Sequence, residues 1–195
     1  MTRKLAFATM LFAVSAFAQN TASKAAASVD TAVAFQANFD SAGQTGWTTL
    51  SSVDIKPAGG KDLLITVSMQ SGLFGVRYDD ASFPSLTLDT LLQFSGLRVR
   101  VMIDGDAINL AAPGAVTWDR QLNFVTSPFS LPGLELNLKS GVRSFTFIKR
   151  NVGVGTHHIE VQGNFQAAAF ETNALAGAVA FVTNRTLTVE EVAMK

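Results

Sequence analysis

The 195-residue chain contains no cysteine. That excludes a disulfide framework, thiolate-based zinc sites and a cysteine nucleophile together. Charge is scarce as well: Asp, Glu, Lys and Arg make up 15% of the residues and balance to a formal charge of zero. So thin and even a distribution lacks the Lys/Arg clusters that nucleic acid or an anionic bilayer requires. Past the N-terminus no stretch is apolar over the roughly 20 residues of a spanning helix, so no span is expected in the mature chain. A G-x-S-x-G turn for a serine nucleophile is absent, and the only histidines are His157 and His158. Asp119, Glu135 and Glu160 are carboxylates of the kind a glycosidase uses. That chemistry needs two of them about 5 to 10 Å apart in one cleft, and the spacing singles out no pair. The chain is not expected to be an enzyme.

What is present begins with a leader. Arg3 and Lys4 precede the apolar run Leu5–Val14, and Ala16-Phe17-Ala18 fits the small-x-small cleavage rule. Residues 1–18 therefore read as a signal peptide, and the product as secreted: extracellular or periplasmic. Residues 19–28 are small and polar, with nothing to bury, and read as a flexible tail. Residues 29–195 are then a single domain, large enough to hold a core.

Within that domain the dominant period is two. Val29, Val33, Phe35 and Phe39 alternate with polar residues, and the same pattern marks Leu63–Met69, Leu97–Ile103, Val142–Lys149, Gly155–Phe165 and Arg185–Val192. Trp47–Ile55 and Lys61–Ser71, joined by Pro57-Ala58-Gly59-Gly60, read as a hairpin. Gly72–Gly96 reads equally as strand or short helix. Nine or ten strands with no amphipathic helix between them predict an all-β protein. Its architecture is an antiparallel β-sandwich, jelly-roll or Greek-key like, with few or no helices beyond the signal peptide.

Several groups carry candidate chemistry. Trp47, Tyr78 and Trp118 are flat aromatics suited to stacking on sugar rings, although tryptophans in a sandwich are more often core or rim residues. His158 and Glu160 lie two apart and so share the polar face of their strand, while His157 falls on the other face. A solvated polar face accounts for that pair more simply than a metal site, which needs three or four converging ligands. Asp104, Asp106 and Asn109 are candidate calcium oxygens, without the remaining ligands and closing Glu of an EF-hand. Turn acids are also common without metal, because Asp bonds its own backbone. Structural calcium is the one cofactor considered. Arg98 and Arg100 are expected to face outward and to pair with Glu160 or Glu190. Asn184-Arg185-Thr186 matches a glycosylation sequon.

Three segments, PGAVTWDR at Pro113–Arg120, GTHHIEVQ at Gly155–Gln162 and LTVEEV at Leu187–Val192, resemble those of uncharacterised secreted β-sandwich proteins of microbes. That resemblance implies the fold and no activity. The expected role is a secreted or cell-surface binding or assembly module. Its partners would be a second copy of itself, an extracellular protein or a glycan, the last making it a carbohydrate-binding module. Leu91-Leu92 and the Leu64 side of its strand are candidate contact strips.

Overall fold

The computed structural model describes residues 25–30, 32–38, 43–79, 89–127, 133–170 and 175–193. The leader, residues 19–24, Asp80 and the Phe83-Pro84 segment lie outside them, as do the side chains of Tyr78, Leu91 and Leu92. The strands are β1 (Ala25–Asp30), β2 (Val33–Asn38), β3 (Gly43–Gln44), β4 (Thr48–Ile55) and β5 (Lys61–Asp79). They continue as β6 (Asp89–Ile103), β7 (Asp106–Leu110), β8 (Val116–Ser127), β9 (Gly133–Val152), β10 (His157–Phe170) and β11 (Leu175–Val192).

Among the described residues all pairings are antiparallel, and they form two sheets. The first runs β1-β11-β5-β9, with β2 continuing the β1 edge along β11. The second runs β3-β10-β6-β7, with β4 beside β3 on β10 and β8 beside β7 on β6. Counting such split strands as single columns leaves four columns in each sheet. The chain crosses between the sheets repeatedly, and its first and last columns are neighbours. That connectivity is a jelly roll.

Alternation explains most of the interior. Leu63, Ile65, Val67, Met69 and Leu73 of the first sheet meet Leu97, Val99, Val101, Ile103, Ile159, Val161 and Phe165 of the second. Among the described residues Phe147 and Phe165 are the largest fully buried side chains. Each such residue contributes about 1.5 to 3 kcal/mol of apolar transfer.

Three local expectations change, and one open reading is settled as strand. Trp47–Ile55 and Lys61–Ser71 do not form a hairpin: β4 pairs with β10 in the second sheet, and β5 with β11 and β9 in the first. The Pro57–Gly60 turn thus carries the chain from one sheet to the other. Gly72–Asp79 and Asp89–Gly96 extend β5 and β6 as strand. Ala25–Ser28, read as tail, belong to β1, where they pair with Leu187–Glu190. Val29 then points outward, 77% exposed, while Ser28 and Asp30 turn toward β4. A polar anchor between the sheets sets the phase of that strand, against its hydrophobic pattern.

Candidate functional site

Outward-facing residues of the second sheet form a continuous polar surface. On β10 these are His158, Glu160 and Gln162; β4 contributes Asp54, Ser52 and Thr49 beside them, and β6 contributes Arg100. Each sits there because the alternate residues, Ile159, Val161, Val99 and Val101, are buried in the core. Gln162 Oε1 accepts from Arg100 Nε at 2.9 Å and Nη2 at 2.7 Å. Gln162 Nε2 donates to Glu160 Oε1 at 3.0 Å, and the Thr49 hydroxyl donates to the same oxygen. Arg100 also lies over the half-buried Trp47 ring, 4.2 Å from its centroid, a cation–π contact. Burial pushes the Glu160 carboxyl upward. The hydrogen bonds from Thr49 and Gln162, with the charges of His158 and Arg100, outweigh it and leave the group below the ordinary carboxylate value.

Both histidines carry carboxylate partners. His158 Nδ1 lies 2.7 Å from Asp54 Oδ1, with both side chains well exposed. His157 Nδ1 lies 2.8 Å from Asp104 Oδ2, and its Nε2 lies 3.2 Å from the Gly153 carbonyl. With an acceptor at each ring nitrogen, His157 is suited to its doubly protonated form. Its pKa is accordingly raised, chiefly by the Asp104 bond.

Asp104 is therefore occupied. Asp104 and Gly105 both take positive φ, 57° and 71°, as a two-residue hairpin turn between β6 and β7 requires. One carboxylate oxygen meets His157, and the other accepts from the His158 backbone N–H at 2.9 Å. Asp106 opens β7 opposite Ile103. Asn109 accepts from Lys149 and donates to the Ile103 carbonyl at 3.4 Å. A lysine ammonium on Asn109 opposes a cation there. Among the described residues no group of three or more His, Cys, Asp or Glu side chains is placed to hold a metal ion.

The three aromatics do not make one platform. Trp47 lies on the outer face of the second sheet with Arg100. Trp118 is buried between the sheets and lines a cavity of about 310 Å³ with Val116, Thr117, Arg143, Ser144 and Phe145. Tyr78 lies near the far end of β5, opposite Leu175 and Leu134 in the first sheet. The ion-pair expectation also changes, since the Arg100 hydrogen bonds go to Gln162, and Glu190 stands in the other sheet opposite Leu64.

Sequence reasoning did not place two ions in the interior. Asp119, 2% exposed, accepts from Lys139 Nζ at 2.9 Å, Arg143 Nη2 at 3.2 Å, Ser71 Oγ at 3.2 Å and its neighbour's backbone N–H at 2.9 Å. Arg185, 4% exposed, donates to the Leu50 carbonyl and stands opposite Asp30 in register. A β-bulge delivers each one. The β6–β8 register slips between Leu97 and Arg98, so Trp118 and Asp119 both turn inward. The β11–β5 register slips between Thr183 and Thr186, where Asn184 takes φ 48°. A visible signal existed: the apolar phase changes from Ala180 and Val182 to Leu187 and Val189 across Asn184-Arg185.

No protein-family model matches the chain, and no curated protein sequence matches it. Solved structures similar in outline include that of the infectious bursal disease virus Gx strain: 12% identity, 88% of this chain, TM-score 0.29. The VP2 subviral particle of infectious bursal disease virus gives 11% identity over 90% of this chain and a TM-score of 0.31. TmCBM61 in complex with β-1,4-galactotriose gives 9% identity, with 84% of this chain and 86% of that one covered and a TM-score of 0.26. The chain spans only 38% and 39% of the length of the two viral chains. At such scores these likenesses carry no argument, and the fold rests on the strand register.

Proposed function

We propose that the protein is a secreted, non-enzymatic binding module whose ligand, a polyhydroxylated glycan, lies on the outer face of the second sheet. The observation that carries this reading is the linked series Trp47, Arg100, Gln162, Glu160 and Thr49 on one face. A sugar offers hydroxyls that both donate and accept, together with an apolar ring face. The surface offers a carboxylate, an amide, a guanidinium and a half-buried indole side by side. Mutual hydrogen bonds hold these groups in place before any ligand arrives, which lowers the ordering cost of binding. The His158–Asp54 pair extends the same face.

The test is retention of the protein on insoluble polysaccharides, with tryptophan fluorescence titrations against soluble oligosaccharides. Trp118→Phe leaves Trp47 as the sole tryptophan, so its emission reports on the face directly. Retention that Trp47→Ala or Arg100→Ala lowers at least tenfold supports the reading. No retention on any glycan, with unmoved Trp47 emission, removes it. Mass spectrometry of the exported protein tests the leader, the expected new N-terminus being Gln19.

A further inference from the structure

β9 ends the first sheet, with β5 on one side and no strand on the other among the described residues. A short bridge shows how its backbone is turned. Ala112 N donates to the Ile148 carbonyl at 2.7 Å, and Ile148 N donates to the Ala112 carbonyl at 2.9 Å. Ile148 thus directs its N–H and C=O away from β5. The β5–β9 register runs unbroken from Lys149 to Gly133, so Thr146, Ser144, Val142, Ser140 and Leu138 direct theirs the same way. Their side chains share the outer face, where Leu138 is 65% and Val142 72% exposed. Exposed edges are ordinarily guarded by charged side chains, lysine above all. Here the nearest cations, Lys139 and Arg143, face the other way and are tied to Asp119.

We propose that this edge pairs antiparallel with the same edge of a second copy of the chain, about a two-fold axis at Ser140. The sequence fits itself in that register. Leu138 meets Val142 of the second copy, and Val142 meets its Leu138, so the exposed apolar residues cover one another twice. Lys139 then stands opposite Gly141, and Arg143 opposite Asn137. An axis at Lys139 would set that lysine against itself, and an axis at Gly141 would set Lys139 against Arg143. The axis at Ser140 avoids both and joins two first sheets into one continuous sheet. Such a closed, isologous contact stops at the dimer. It leaves the second sheet's outer face free and is independent of what that face binds.

The absence of cysteine makes the register testable. Across a hydrogen-bonded antiparallel pair the Cα atoms lie about 5.5 Å apart, within disulfide reach. Ser140→Cys is expected to form a covalent dimer rapidly with an added disulfide oxidant, while Ser144→Cys, on the same face, lags at least tenfold. Light scattering on the purified wild-type protein should give a dimer, which Val142→Lys shifts to monomer with an unchanged circular dichroism spectrum. Ser140→Pro removes only an N–H that points away from β5, and is expected to do the same. A wild type that stays monomeric through millimolar concentration overturns the proposal. So does a dimer that withstands Val142→Lys, or one that cross-links equally at both cysteines. Association only with an added extended peptide would assign the edge to a different occupant and likewise overturn it.

Discussion

Opposite edges of the sandwich each bury one ion, of opposite sign, and they differ in where the partners come from. Asp119 is an anion reached by two cations whose side chains remain about half exposed, 42% for Lys139 and 51% for Arg143. Arg185 is itself the long side chain that reaches inward, and what it meets is fixed: it donates to the Leu50 carbonyl, exposed by a bulge in β4, and feels the charge of Asp30, which is held by Ser28 and Ser51. If Asp119 is lost, its cations can return to water. If Arg185 is lost, a carbonyl and a carboxylate stay behind between the sheets. The cost of removing a buried charge is thus set by whether its partners can escape, more than by the depth of the charge.

Arg185→Ala should therefore have the largest effect, about 3 to 5 kcal/mol by denaturant unfolding, because it strands fixed partners. Asp119→Ala should cost about 1 to 2 kcal/mol, mainly from the Ser71 and Arg120 donors left behind. Equal losses in these two variants would break the comparison. Lys139→Ala and Arg143→Ala should each cost about 1 kcal/mol or less, since either cation covers for the other, and the double variant should exceed their sum.

Acidity sharpens the contrast further. Burial raises the Asp119 carboxyl, but Lys139, the Arg120 N–H and Arg143 outweigh it, so the group lies below its ordinary 3.8. A depressed folded-state value means stabilisation present above pH 3.8 and lost as pH falls through the folded value. Asp119→Asn should flatten the acid limb of a stability–pH curve. His157 has the opposite sign. Its value is raised above 6.5, so its stabilisation is complete below pH 6.5 and declines as pH rises through the folded value. His157→Gln should remove that decline, the smallest of the expected effects, in melting curves between pH 6 and 9.

The sequence made the strands legible because most of them bury one face, and a buried face writes itself as a period of two. Leu63–Met69 and Leu97–Ile103 sit as their alternation predicts. Partner choice was another matter. Pro57–Gly60 looks the same whether it closes a hairpin or crosses between sheets, because a turn records local geometry and says nothing of which strand follows alongside. The candidate face was half legible: His158 and Glu160 share a side, as parity requires, and Arg100 was expected outward near Glu160, but Gln162 as its partner and Trp47 against it follow only from three-dimensional pairing. Bulges hid the buried ions. One inserted residue shifts the phase, so no single unbroken period runs through Trp118-Asp119 or from Ala180 and Val182 to Leu187 and Val189, and the two ions fall where the period breaks.

The split columns of the two sheets also order events in time. β1 and β2 have β11 as their neighbour in the first sheet, so the earliest strands lack their sheet partner until residues 175–192 are present. Closing a loop of nearly the whole chain is entropically late and slow. The pairs β5–β9 and β6–β8 need only the middle of the chain, whereas the first sheet is complete only when its last strand arrives.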